Sequence, residues 1–64
     1  MCESSAYLRK NGDDEELLLE DVVMVKPHPG KITLTNILGD RKEIEAEIET
    51  IDLIKHRIVL KPID

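Results

Sequence analysis

The sequence predicts an all-β domain, a small, partly open barrel of five short strands. Three observations lead there. Apolar and polar residues alternate with a period of two in several short runs, the pattern of half-buried strands. Pairs such as Asn11-Gly12 and Gly39-Asp40 stand between those runs as tight turns. Almost nothing favours helix, and many short strands joined by turns close best as a small barrel.

The first strand covers residues 2–10, where Cys2, Ser4, Ala6 and Leu8 share one parity and Glu3, Ser5, Tyr7 and Arg9 the other. Its inner face is small, which lets another backbone or a partner subunit come close. Asn11-Gly12-Asp13-Asp14 follows as a hairpin turn. Residues 16–26 are the most apolar stretch; Val22, Val23 and Val25 and the following Pro27 favour strand over helix. Glu20-Asp21 in its middle predicts a bulge that switches the inward face. Pro27-His28-Pro29-Gly30 reads as a loop, because two prolines and a glycine cannot hold a ladder. Residues 31–38 alternate as a third strand, with Ile32 and Leu34 opposing Thr33 and Thr35. Residues 41–49 fit either period. As a strand, Ile44, Ala46 and Ile48 face in and four glutamates face out; as a helix, Ile44, Ile48 and Ile51 share a face. Helical spacing would set Glu43 against Glu47 and Glu45 against Glu49, whereas a strand can place them opposite Lys and Arg. Strand is the expectation. Ile51-Asp52-Leu53 then leads to a charged turn, Lys55-His56-Arg57, and residues 58–60 form the last strand before Pro62.

A chain of 64 residues is one domain, residues 1–64, near the lower limit for folding alone. At that size only about 60% of the unfolded surface is buried. One cysteine permits no internal disulfide, so oligomerisation is the expected supplement. The same single cysteine suggests a reducing compartment. No apolar run reaches the length of a signal peptide or membrane span, so the expected location is cytoplasmic and no membrane partner is expected. With 14 acidic against 9 basic residues, the net charge of −5 repels phosphate backbones. Tyr7 is the only aromatic residue, which leaves no base-stacking platform, so nucleic acid is not the expected partner.

The chemically distinctive stretch is Met1-Cys2-Glu3. The α-amine of Met1 and the amide nitrogen and thiolate of Cys2 can close successive five-membered chelate rings on one metal. An amide nitrogen binds only after losing its proton, which Cu(II) and Ni(II) readily drive, and both prefer a square-planar donor set. Elsewhere the catalytic inventory is thin. His28 and His56 read as solvated loop residues, and no Ser, His and Asp grouping, glycine-rich phosphate loop or zinc-spaced cysteine pair occurs. The comb of Glu43, Glu45, Glu47 and Glu49 reads as a solvated strand face rather than a cation cage, and Asp52 as a turn cap.

Met1-Cys2-Glu3-Ser4 with Tyr7-Leu8, then Leu18-Leu19-Glu20-Asp21-Val22, Ile37-Leu38-Gly39-Asp40-Arg41-Lys42, Ile51-Asp52-Leu53 and Ile58-Val59-Leu60, resembles the CooT family. These are small nickel-binding accessory proteins of carbon monoxide dehydrogenase maturation, and the likeness runs the length of the chain. The resemblance implies a homodimer of SH3-like barrels with one Ni(II) at the subunit interface. It also implies that Cys2 is a metal ligand; the donors of Met1 rest on the chelate argument. The expected function is therefore a non-enzymatic metallochaperone or nickel buffer that serves a nickel-enzyme maturation partner. An alternative, a small RNA-binding barrel, would use Lys55, Arg57 and Lys61 as its basic patch. A structural subunit with Cys2 idle is the third reading.

Overall fold

The computed structural model describes residues 3–12 and 14–63. They form six strands and no helix: β1 (Ser4–Arg9), β2 (Glu15–His28), β3 (Lys31–Asn36), β4 (Arg41–Ile44), β5 (Ala46–Asp52) and β6 (Arg57–Pro62). All six belong to one sheet in the order β4-β3-β2-β1-β6-β5, which is not closed. Neighbouring strands are antiparallel except β1 and β6, which run parallel. The two edge strands, β4 and β5, are consecutive in the chain, and β5 also contacts β3. The sheet therefore curls until its edges approach. This is the expected all-β, partly open barrel, with six strands where five were expected.

The additional strand comes from a break. Residues 41–49 are extended, but the chain bends at Glu45, whose carbonyl accepts a hydrogen bond from the Ile63 amide at 3.5 Å. The bend lets the chain leave one edge of the curled sheet and rejoin it at the other. The glutamates of the two neighbouring-strand pairs meet lysines as expected, while Glu49 reaches past β6 to Arg9 on β1. Glu43 faces Lys31 at 3.6 Å, Glu47 faces Lys61 at 3.4 Å and Glu49 meets Arg9 at 2.5 Å.

The core lies on the inner face and is built from Ala6, Val22, Ile32, Leu34, Ala46, Ile58 and Leu60. Leu8, Leu18, Leu19, Val25 and Ile44 pack around it. The small inner face of β1 is realised in Ala6, which is completely buried between β2 and β6. The hairpin after β1 forms as expected, with the Asp14 amide donating to the Asn11 carbonyl at 2.9 Å and Gly12 at φ 56°. Asp13 of that turn lies outside the described residues. Midway along β2 the expected switch occurs: Asp21 takes φ 56°, and the pairing registers on both flanks shift beside it. Aspartate tolerates this left-handed backbone better than most residues.

Two expectations are corrected. Pro27 and His28 are not loop residues but the end of β2, paired with Ile32 and Lys31. The far half of β2 has only β3 beside it, because β1 pairs with residues 15–22 alone. Pro27 thus meets no neighbour that requires its missing N–H. The turn shrinks to Pro29-Gly30, with Gly30 at φ 80°, the backbone a Pro-Gly type II turn needs. The third strand also stops at Asn36 rather than residue 38. Asn36 is buried, and its side chain draws the next residues into a compact loop.

Candidate functional site

Met1 and Cys2, the sequence-predicted ligands, lie outside the described residues. The described chain begins at half-buried Glu3, one residue before β1. β1 is an interior strand, so this entry point is flanked on both sides. Ser4 pairs with Val22 of β2, Ser5 pairs with Arg57 of β6, and the Ser5 amide donates to the His56 carbonyl at 3.0 Å. Val22 pairs in turn with Asn36, and Arg57 with Asp52. This row brings two loops, residues 37–40 and 53–56, to the same end of the sheet as the entry to β1.

Both loops are held from inside by one side chain. Asn36 Oδ1 accepts from the amides of Leu38 at 3.0 Å and Asp40 at 2.9 Å. Asp52 Oδ1 accepts from the amides of Ile54 at 3.1 Å and Lys55 at 2.9 Å. The Lys55 amide, followed by that of Ile54, holds the Asp52 carboxyl below its ordinary value. Asp52 is thus the turn cap that its position predicts. The consequence is unusual for loops, which are normally polar. They hold apolar side chains out: Leu38 is 82% exposed, Leu53 77% and Ile54 90%. Ile37, Val23 and Met24 add exposed apolar surface at the same end. This rim was not anticipated, although Asn36 and Asp52, each followed within four residues by the amides it binds, carried an Asx-turn signal.

The two histidines separate. His28 lies six residues along β2 from Val22, about 20 Å away at strand rise. It is half-buried, with Nε2 at 3.1 Å from Thr33 Oγ1, so it is not the solvated loop residue expected. His56 stands in the 53–56 turn with φ 57°, beside the start of β1. Among the described residues no three His, Cys, Asp or Glu side chains are grouped to hold a metal ion. The glutamate comb is divided between β4 and β5 and committed largely to ion pairs.

Two of the three cations of the basic patch considered for RNA, Arg57 and Lys61, are also committed elsewhere. The Arg57 guanidinium lies 4.6 Å from the Tyr7 ring centroid and pairs with Glu15, and Lys61 is taken by Glu47. Glu15 also meets Arg9 at 2.8 Å, and the Arg9 hydrogen bond is the main cause of its lowered carboxyl pKa, with Arg57 adding to it. This ionic cluster spans the outer face of β2, β1, β6 and β5. Val59, buried but turned away from the core formed by Ile58 and Leu60, pairs with Tyr7 on that face.

A family model described as CO dehydrogenase accessory protein CooT matches residues 1–61. A crystal structure of the protein assigned as CooT in Carboxydothermus hydrogenoformans superposes with a TM-score of 0.89 at 46% identity, covering 98% of this chain and 100% of that one. An uncharacterised protein of Methanothermobacter thermautotrophicus is 41% identical over 64 residues, all of this chain and 94% of its own. Another, from Methanocaldococcus jannaschii, is 36% identical over 61 residues, 95% of this chain and 98% of its own. The match in sequence from the first residue almost to the last, on the same fold, means that this chain belongs to the CooT family of carbon monoxide dehydrogenase accessory proteins.

Proposed function

We propose that this protein is a non-enzymatic nickel carrier or buffer that serves the maturation of a nickel enzyme such as carbon monoxide dehydrogenase. Its cargo is Ni(II), held as one ion between two copies of the chain through Cys2 with donors of Met1. The observation that carries this reading is family membership combined with a cysteine two residues before an interior strand. The donor chemistry fits the cargo. A thiolate, an amine and an amide nitrogen form a strip suited to a square-planar ion.

One chain offers at most three such donors, and a planar ion needs four. Two Cys2 thiolates, each with one nitrogen, would complete the set, so the site is incomplete without the second copy. The apolar rim beside the entry to β1 supports that assembly. Contiguous exposed apolar surface on a small protein marks an interface, and a twofold axis through this one would bring both first residues together. A calorimetric nickel titration of untagged protein, with light scattering on the same sample, tests the reading. Saturation at one ion per two chains is expected, and loss of uptake in Cys2→Ser. Wild-type uptake by Cys2→Ser would reject it.

A further inference from the structure

The face of β2, β3 and β4 opposite the core carries a depression that the proposed nickel site does not use. Lys26, Thr33 and Glu43 lie in one cross-strand row of β2, β3 and β4. His28 is two residues beyond Lys26, and Arg41 is two before Glu43, so strand alternation puts all five on the face opposite buried Ile32 and Leu34. Together they line a depression of about 470 Å³. Inside it, His28 Nε2 and Thr33 Oγ1 are 3.1 Å apart.

Charge makes this surface stand out. Carboxylates outnumber cations 14 to 9, and Arg9, Lys10, Lys31, Arg57 and Lys61 each have a carboxylate partner. Of the four cations without one among the described residues, Lys42 donates to the Leu18 carbonyl at 3.2 Å and Lys55 stands in the 53–56 turn, while Lys26 and Arg41 converge on one depression. The single carboxylate in its lining, Glu43, faces Lys31 at 3.6 Å, which offsets its repulsion of an incoming anion. The donors differ in geometry: a planar guanidinium fork, a mobile ammonium, a hydroxyl and an imidazole. A tetrahedral oxyanion accepts from several directions at once and suits such a set, with Arg and Lys as the usual phosphate partners.

We propose that the depression lined by Lys26, His28, Thr33 and Arg41 binds a phosphate group, either free phosphate or the phosphate of a small ester. The strand face supplies the floor, Arg41 and Lys26 grip the anion from opposite flanks, and Thr33 and His28 complete the shell. The site lies on the face of β2, β3 and β4 opposite the core, with His28 about 20 Å along β2 from the row that holds the start of β1, and it uses none of the residues of the nickel reading.

The test is an NMR titration of nickel-free, ¹⁵N-labelled protein at low ionic strength, with inorganic phosphate and separately with AMP. Saturable shifts centred on residues 26, 28, 33, 41 and 43 are expected. Lys26→Gln and Arg41→Gln should each weaken binding about tenfold, the worth of one charge-assisted contact. Glu43→Gln should tighten it, because it removes the repulsive carboxylate and releases Lys31. All three side chains are exposed, so the variants should keep the wild-type spectrum elsewhere. Tighter binding of AMP identifies an ester as ligand, and equal binding identifies the phosphate group alone; either supports the site. Shifts that do not saturate, that chloride reproduces at equal ionic strength, or that survive unchanged in Lys26→Gln and Arg41→Gln would overturn it. So would an acidic peptide that binds the same residues more tightly than either phosphate.

Discussion

A thiol and an amine must give up protons before a metal can take their place. On the proposed nickel reading, Cys2 starts from an unperturbed value of about 8.5 and the α-amine from about 7.7–8.0. Affinity should therefore climb between about pH 6 and 8.5, as metal and protons compete for the same atoms. A thiolate-to-nickel charge-transfer band should rise with it, and a pH-independent band would contradict Cys2 as ligand. Zn(II) should bind less well than Ni(II), while Cu(II) should match or exceed it. His28→Ala should not affect uptake, since β2 carries that ring to the far end of the sheet. His56 stands at the near end, so His56→Ala is the informative control. Unchanged uptake is expected there, and a loss would make His56 a donor.

Among the elements, the two Asx-held loops and the outer ionic cluster have separable consequences. Asn36→Ala removes the acceptor for two backbone amides and leaves a void where a buried side chain stood. A loss of about 1–3 kcal/mol is expected, read from the urea midpoint. A change within error would mean that water replaces the side chain fully. The cluster around Glu15 predicts acid sensitivity. Its folded pKa is lowered, first by the Arg9 hydrogen bond, so its contribution is present above the unfolded value of about 4.3. That contribution is lost as pH falls through the lower, folded value. Glu16, held down by Lys10, and Asp52, held down by backbone amides, act in the same direction. Thermal melts should therefore show the midpoint falling below about pH 4.3. Glu15→Gln should flatten part of that slope, and parallel curves for the two proteins would remove Glu15 from the account.

For the whole molecule, the unresolved balance is between a small core and a large apolar rim. Among the described residues a core of seven small and medium side chains is modest, while Leu38, Leu53 and Ile54 stand largely in water. Covering them with a second copy should stabilise both chains, at roughly 25 cal/mol for each Å² of apolar surface removed from water. Light scattering at micromolar concentration should give twice 7.3 kDa without metal. Leu38→Glu combined with Ile54→Glu should give a folded monomer, because neither side chain belongs to the core. A wild-type monomer that nickel does not change would sink the dimer and the shared site together.

The sequence alone determined what depends on near neighbours. Period-two patterning specified strands, Asn11-Gly12 the hairpin, Glu20-Asp21 the bend, and alternating glutamates the pairing of Glu43 and Glu47 with lysines across the ladder. The motifs spread from Met1 to Leu60 also carried the family resemblance, because they report a whole chain rather than one element. Cys2 was legible as a candidate ligand for the same local reason: its donors are consecutive atoms of the chain. Tertiary structure decided whatever depends on which strand lies alongside. Pro27 could stay in β2 because β1 does not reach it, and residues 41–49 had to break at Glu45 because a curled sheet presents two edges. The parallel pairing of β1 with β6 set the 53–56 turn beside the start of β1, and the β2–β3–β4 register gathered Lys26, Thr33 and Arg41 from three strands. Hydrophobic period records which face a residue takes, but not which strand becomes its neighbour; that follows only from how the sheet curls.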